Sequence, residues 1–266
     1  MRGCGKDASW FFAHRDDAGG HSAGARELLA GFRIGALGDA FTPSSAREAP
    51  HPFTMTADGR RVGLLGSTYV APRKSIDLGI THRINTVEAE SARIGFDLGF
   101  GMGRFDVHLW DATGEDVSGL EVKVRPLDQH GEQPRPLSVA VQAGAGFFRD
   151  DGPPGFFGQL TAERTLLDRR LSLRGSAVTT LREGVEAAAG GGVEFRPIPI
   201  HGLFVEVLVP VTTEAALAWS AGARIYTRGH HFSLYAASTP TTAIPLLTAP
   251  VDAFSIGFGM ERAFRL

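Results

Sequence analysis

Arg93–Trp110 reads RIGFDLGFGMGRFDVHLW, and this stretch decides the fold class. Apolar side chains take alternate positions in both halves of it, namely Ile94, Phe96, Leu98 and Phe100, then Phe105, Val107 and Leu109. Successive side chains of a β-strand point to opposite faces, so each half predicts a strand with one apolar face and one polar or glycine-rich face. Gly101-Met102-Gly103 between the halves predicts a tight turn. The stretch therefore predicts a β-hairpin.

The same unit recurs about twelve times between Ser75 and the C-terminus, with no convincing helix between the repeats. The predicted strands are 75–83, 92–100, 104–111, 118–126, 137–148, 156–166, 170–181, 189–196, 203–211, 217–227, 231–239 and 252–264. Short turns alternate with longer loops, as at the two ends of outer-membrane barrels, except at the long connection 126–136. We therefore expect an all-β chain that forms an up-and-down antiparallel transmembrane β-barrel of about 12 strands, with about 14 as the second choice.

Alternation assigns the two faces of the barrel wall. The outward, apolar set is Val139, Val141, Phe147, Leu160, Leu171, Leu173, Val205, Val207, Val209, Trp219, Ile225, Phe232, Leu234, Phe254, Ile256 and Phe258. The inward set, which we predict to line the lumen, is Asp77, Asp97, Asp106, His108, Glu121, Lys123, Arg125, Glu163, Arg174, Glu194, Arg196, Glu206, Arg224, His231 and Glu261. A Lys or Arg on the lipid side costs about 2–4 kcal/mol at the bilayer midplane, so the near absence of charge from the outward set favours a membrane location.

A soluble β-sandwich or barrel with the two faces exchanged is the alternative, since it gives the same period of two. The predicted strands are nevertheless long and numerous, and they follow a plain meander. Aromatic residues also crowd the predicted loop-side ends, as an interfacial girdle does. They are Trp110, Phe147, Phe148, Phe156 and Phe157. These features favour the membrane barrel.

Composition narrows the function classes. The net charge of −2 and the pI near 6.5 lack the basic excess of a nucleic-acid-binding protein. Cys4 is the only cysteine, so an internal disulfide is excluded. No apolar run reaches the roughly eighteen residues of a membrane helix, and Met1–Gly20 lacks the apolar core of a signal peptide. Three explanations of the last point stay open: a misplaced start, a partial chain or an incorrect membrane assignment.

The beginning of the chain differs from the rest. Stretches 16–24 and 42–52 are rich in small residues, proline and charge. We therefore expect residues 1–74 to form an irregular N-terminal segment, partly disordered or plug-like, ahead of the barrel over 75–266. Within it, Ala25–Phe32 is a candidate short helix and Arg61–Val70 a candidate strand. A strand at 61–70 would pair with a further upstream strand in the fourteen-strand alternative.

Five stretches follow one another in an order seen in a known family. They are Ser75–Ile84 (SIDLGITHRI), Arg93–Arg104 (RIGFDLGFGMGR), Leu120–Arg125 (LEVKVR), Gly229–Tyr235 (GHHFSLY) and Phe254–Phe264 (FSIGFGMERAF). Together they resemble an uncharacterised bacterial outer-membrane β-barrel family, the domain of unknown function number 5777. The resemblance covers residues 65–266 in patches. It implies a bacterial outer-membrane location and brings no established activity or site. Ser238-Thr239 and Ile84 depart from the asparagine and the aromatic residue usual in that family.

Two local motifs have a functional and a plainer interpretation. His82-Arg83 at a strand end is either a ligand contact or latch, or a polar cap that hydrogen-bonds neighbouring backbone, and we favour the cap. Gly190–Gly192 is not followed by the Lys-Ser or Lys-Thr of a phosphate loop, so we interpret it as a flexible loop or strand start.

The histidines of the penultimate strand raise the question of an enzyme. His231 and Ser233 share one strand face with a spacing similar to that in outer-membrane phospholipase A, but alternation turns both inward, away from lipid. His230 and His231 point to opposite faces, so they cannot bind the same metal ion. Neither motif favours catalysis or a metal site.

The inward charged side chains are the largest group of candidate functional residues. They form either a narrow aqueous path or a closed lattice of ion pairs, because twelve strands lie between the roughly eight whose interior side chains fill and the roughly sixteen that leave a channel. Their mixed sign indicates no strong preference for anions or cations. We expect a non-enzymatic outer-membrane protein without cofactors: a narrow pore for small polar solutes, alternatively a structural or docking barrel of an envelope complex, and as second alternative a lipid-hydrolysing envelope enzyme. The expected partners are outer-membrane lipid and small polar solutes or an envelope protein, and not nucleic acid.

Overall fold

A computed structural model of the chain describes residues 61–62, 64–86, 92–130, 134–149, 152–227, 230–239, 241, 243, 247 and 253–265. The candidate helix Ala25–Phe32 and the expectations for the rest of 1–60 lie outside these residues. In the described part of the chain, no helix is long and apolar enough to cross a membrane.

The described secondary structure consists of β-strands. They are β1 (Arg61–Val62), β2 (Leu65–Gly66), β3 (Ser75–Asn85), β4 (Ala92–Gly101), β5 (Phe105–Thr113), β6 (Val117–Leu127), β7 (Ser138–Phe148), β8 (Gly155–Leu166), β9 (Leu171–Leu181), β10 (Val185–Ile198), β11 (His201–Pro210), β12 (Ala218–Thr227), β13 (His230–Ala237) and β14 (Ser255–Arg265).

Strands β3 to β14 form one closed barrel in which each strand pairs with its neighbours in sequence and β14 lies beside β3. The arrangement is an up-and-down antiparallel meander of 12 strands. It confirms the predicted fold class, and a wall of 14 strands is wrong. Since the number of strands is even, Ser75 and the end of β14 lie at the same end of the barrel, which we call the turn end; the opposite end is the loop end.

Two connections at the loop end are shorter than expected. The loops predicted at 112–117 and 182–188 shrink to residues 114–116 and 182–184, because β5, β6 and β10 extend beyond their predicted limits. Extended strands satisfy more backbone hydrogen bonds than loops do, which is the reason for the correction. The simple rule of short turns at one end and long loops at the other is therefore wrong at these two places.

The candidate strand 61–70 is also wrong. Instead, β1 and β2 pair with each other, Arg61 with Gly66 and Val62 with Leu65, and neither strand is part of the barrel wall. The adjacent residues Leu64 and Leu65 interrupt the alternation that a wall strand needs, so the chain folds back on itself here.

Gly190–Gly192 lies in the middle of β10 and not in a loop or at a strand start, which corrects the earlier interpretation. A Cβ atom on Gly190 would lie 2.0 Å from the carbonyl oxygen of Val207 on β11, so only glycine allows this close approach. The long β10 that results carries Glu194 and Arg196 toward the turn end.

The two faces of the wall have the predicted polarity. Phe96, Leu234 and Phe258 are exposed by 47%, 63% and 49% of their surface, whereas Glu206 is exposed by only 1%. A water-soluble barrel would bury the apolar rings and expose the carboxylate. The outer face is therefore the apolar face, as in a transmembrane barrel.

Only part of the predicted aromatic girdle lies on the outer face. Phe147 and Phe156 are exposed on the outer face, but Phe157 is buried and Phe148 and Trp110 are half-buried. The rings of Trp110 and Phe157 contact each other, with centroids 6.4 Å apart. Adjacent residues in a strand point to opposite faces, so only one member of each Phe-Phe pair can reach the interface.

Inward rings lie over glycines of the neighbouring strand. His108 is the cross-strand partner of Gly99, and Trp110 is the partner of Gly119. A Cβ on Gly99 would be 2.0 Å from the His108 ring, and one on Gly119 would be 2.2 Å from the Trp110 ring. The glycines thus make the room in which these inward side chains pack.

Candidate functional site in the barrel interior

The inward set of the sequence analysis lies on the shielded face of the wall. Ten of its members are buried: Asp77, Asp106, His108, Glu121, Lys123, Glu194, Arg196, Glu206, Arg224 and His231. The others are half-buried: Asp97, Arg125, Glu163, Arg174 and Glu261. Two groups can be distinguished, on opposite sides of the interior.

The first group, on β8 to β12, is a network of arginines and glutamates, and we call this side the network half. Arg174 contacts Glu163 at 3.3 Å and Glu206 at 3.6 Å, so it bridges β8 and β11. Arg224 pairs with Glu194 and lies 3.8 Å from Glu206. Buried ions are costly unless they are paired and hydrogen-bonded, and here every carboxylate has at least one guanidinium neighbour.

Aromatic side chains complete the network half. The guanidinium of Arg224 stacks 3.9 Å above the ring of Phe204, and that of Arg196 stacks 3.9 Å above the ring of Tyr226. The Tyr226 hydroxyl donates a hydrogen bond to Glu194. Cation–π contacts of this kind are strongest where water is excluded, so they reinforce the ion pairs.

Residues 64–72, which we call the inner segment, lie inside the barrel against this network. The amides of Leu64 and Leu65 donate to Glu206 Oε2 at 2.7 and 3.2 Å. The amide and hydroxyl of Thr68 donate to Glu163 Oε2 at 3.4 and 3.0 Å. The amide of Ala71 donates to Asp106 Oδ2 at 3.0 Å. Inward carboxylates of three strands therefore bind the backbone of the inner segment.

The start of the inner segment is also seated in an apolar cluster. Leu64 and Leu65 are 1% and 0% exposed. They pack with Val178, Ala188, Leu208, Ala218 and Leu247. Full burial of a leucine side chain stabilises by about 1.5–3 kcal/mol, so these two residues are the main apolar anchor of the inner segment.

The second group, on β14 and β3 to β6, lines a cavity of about 100 Å³ that opens to solvent, and we call this side the cavity half. Its charged lining residues are the acidic Asp77, Asp97, Asp111, Glu121 and Glu261 and the basic Arg262, accompanied by Gln142, Gln159, Tyr69 and Trp110. Asp97 lies 2.6 Å from His108 Nδ1, and Gln142 donates to Glu121 at 2.7 Å. The cavity therefore offers carboxylates, amides and aromatic edges to a polar molecule.

A smaller cavity of about 30 Å³ adjoins the first and shares Thr81 and Glu261 with it. Its lining includes Arg83, His231 and Tyr235. Arg83 is 1% exposed; its Nε donates to the Tyr235 hydroxyl at 3.0 Å, and its Nη1 donates to the carbonyls of Thr239 and Thr241. Arg83 thus holds the chain after β13 against β3 at the loop end.

The sequence analysis missed several of these inward side chains. Arg83 follows Asp77 at even spacing on β3, and Gln142 and Gln159 alternate with the outward Val141 and Leu160. The strand period of two would have found all three, had uncharged residues and strand ends been included. The inner segment has no comparable signal, because most of its hydrogen bonds to the wall are donated by backbone amides.

The candidate catalytic and metal motifs are not assembled. Within the described part of the chain, neither ring nitrogen of His231 has a hydrogen-bond partner, and the ring stacks on Tyr226 at 4.9 Å. His230 instead stacks on Phe232 at 5.9 Å, on the other face. The described residues contain no group of three or more side chains that could hold a metal ion. A nucleophile–base pair needs a hydrogen bond that His231 does not make to Ser233.

Comparisons with known proteins agree with the fold. No family model and no curated protein matches the sequence. Among solved structures, the KdgM porin has a TM-score of 0.52 at 7% identity, over 70% of this chain and 98% of the porin. The NanC porin has a TM-score of 0.51 at 8% identity, over 72% of this chain and all of the porin. The chain therefore has the barrel fold of outer-membrane porins.

Proposed function

We propose that this protein is an outer-membrane barrel that gives small polar solutes a narrow path through its cavity half. The observation that carries the proposal is the cavity of about 100 Å³, lined by carboxylates and amides, behind an apolar outer wall. Water and hydrogen-bonding solutes are stable in such a lining, and the outer face needs hydrocarbon around it.

The lining also indicates the solute class. The lining carboxylates of Asp77, Asp97, Asp111, Glu121 and Glu261 outnumber the guanidinium of Arg262 and repel anions, so the proposed solutes are neutral or cationic. The KdgM porin has been solved in complex with disordered oligogalacturonate, an acidic oligosaccharide. A lining dominated by carboxylates is poorly suited to such a ligand.

The proposed location is the bacterial outer membrane, as the resemblance to the domain of unknown function number 5777 also implies. Membership of that family stays a prediction.

A non-conducting structural or docking barrel is the second candidate. It is favoured by the network half, where Glu194, Glu206 and Arg224 are each exposed by 3% or less. Side chains this well shielded fill space that a wide pore would leave to water.

Single-channel recording in planar lipid bilayers distinguishes the two candidates. The full chain, refolded in detergent and shown to be folded by a mobility change on boiling, is expected to give discrete conductance steps. Vesicles that contain the protein should also swell in small neutral sugars or amino compounds and not in larger oligosaccharides. A folded protein that gives neither steps nor swelling would support the structural barrel.

A further inference from the structure

We propose that the inner segment is a movable plug: the path through the cavity half is narrow while residues 64–70 bind in the network half and widens when they leave it. The proposal rests on the proposed pore function and adds its regulation. The occupant is a stretch of this chain itself, bound to carboxylates of the wall through backbone amides and the Thr68 hydroxyl.

The end of the inner segment nearest β3 is held firmly. The Lys74 amide donates to the carbonyl of Gly101 at 3.0 Å, and the Ser75 hydroxyl donates to the carbonyl of Pro72 at 2.7 Å. Lys74 has a φ of 59°, which marks a sharp change of direction at this point. A Cβ on Gly101 would lie 2.0 Å from the Pro72 oxygen, so the wall and the segment touch here. Residues 72–75 therefore form a fixed hinge at the turn end.

The hydrogen bonds beyond the hinge can be exchanged for hydrogen bonds to water. Glu206 and Glu163 accept hydrogen bonds from Leu64, Leu65 and Thr68, and water can replace each of these donors. Release of the segment leaves no buried carboxylate without an ion-pair partner, because Glu163 and Glu206 both keep Arg174. The wall is therefore complete with and without the segment.

The inner segment lies at the boundary between the two halves of the interior. Leu64 and Leu65 pack in the network half, whereas Gly66 and Tyr69 line the cavity. Removal of the segment would extend the cavity toward Glu163 and Glu206. A single movement would thus widen the path and expose further carboxylates to it.

A disulfide lock tests the proposal. A Cβ on Gly66 would lie 3.1 Å from Cδ of Gln159, and replacement of Gln159 removes the atoms that it would meet. The double variant Gly66→Cys/Gln159→Cys, in a Cys4→Ser background without other cysteines, joins the segment to β8. We expect the reduced protein to conduct at least about ten times more than the oxidised protein, because the lock removes the open population. Each single-cysteine variant should be insensitive to reductant.

A second variant separates failure of the plug from failure of the pore. Residues 64–70 are replaced by a Gly-Ser stretch of equal length, and the hinge at 72–75 is kept. The plug predicts higher conductance than in the wild type.

Equal conductance of the locked, reduced and Gly-Ser proteins would overturn the plug and leave the pore. If the folded Gly-Ser and reduced proteins are all silent, the pore itself fails, and the plug fails with it. If the disulfide does not form, the Gly-Ser variant alone decides, with unchanged conductance against the plug.

Discussion

The two halves of the interior come from one strand pattern and yet differ in what they leave open. The network half presents long side chains at its inward positions, such as Arg174, Arg196 and Arg224. The cavity half presents glycine at many equivalent positions, such as Gly79 and Gly95. Both halves carry charged side chains, so charge alone does not explain why one half is filled by ion pairs and the other contains a cavity. The free volume follows from side-chain length at the inward positions, and glycine on β3 and β4 creates it.

The largest expected effect comes from breaking the network half. Arg224→Met leaves Glu194 and Glu206 buried with one guanidinium fewer. Removal of one partner of a buried ion pair costs about 3–5 kcal/mol, so the free energy of unfolding should fall by that amount. Urea titration of the refolded barrel in lipid vesicles measures it.

Arg164→Met is the matched control, because Arg164 is exposed on the outer face near a strand end. Its loss should leave the free energy of unfolding nearly unchanged. If the two variants lose equal stability, the network half is not the ion-paired lattice that separates it from the cavity half.

A slightly smaller loss of stability is expected from a charge on the outer face, and it tests whether lipid surrounds the wall of the network half. Leu160 lies in the middle of β8 and is 51% exposed. Leu160→Arg places a cation in hydrocarbon and should destabilise the barrel in vesicles by about 2–4 kcal/mol. The same change at Leu167, which is 66% exposed in the turn after β8, should cost less than about 1 kcal/mol because the penalty falls toward the interface. Equal costs at both positions would place water, and not lipid, against β8.

The sequence predicted the wall better than its contents. The alternation of apolar and polar residues predicted the number of strands, the outward position of Phe96 and the inward position of Glu206. The pattern is informative because a shift of one residue would turn every side chain of a strand to the opposite face. It could not predict that Leu64 and Leu65 bind an inward glutamate, since a backbone amide leaves no residue-type signal. Nor could it predict how far the lumen is filled, because that depends on which inward positions face one another across the barrel. Gly190–Gly192 was misinterpreted for a related reason: the close approach of β11 makes glycine a strand residue there.

Overpacking the cavity half should have a moderate effect. Gly99→Ala puts a methyl group 2.0 Å from the His108 ring, which is fully buried and held by Asp97. The buried ring would have to shift and weaken its contact to Asp97, and a loss of about 1–3 kcal/mol in the free energy of unfolding is expected. Gly158→Ala is the control, because a Cβ there meets nothing within 4 Å. A harmless Gly99→Ala would show that the cavity half is loosely packed around His108.

The smallest expected effect concerns selectivity and touches the cavity half alone. Asp97→Asn keeps the size of the side chain and removes one negative charge from the cavity lining. A monovalent cation about 4 Å from a carboxylate in water gains about 1 kcal/mol, so the cation-to-anion permeability ratio should fall by up to about fivefold. Reversal potentials across a salt gradient measure the ratio, and Asp168→Asn, in the exposed turn after β8, should leave it nearly unchanged. An unchanged ratio in Asp97→Asn, with conductance intact, would mean that ions pass elsewhere. The difference between the two halves would then concern packing and not transport.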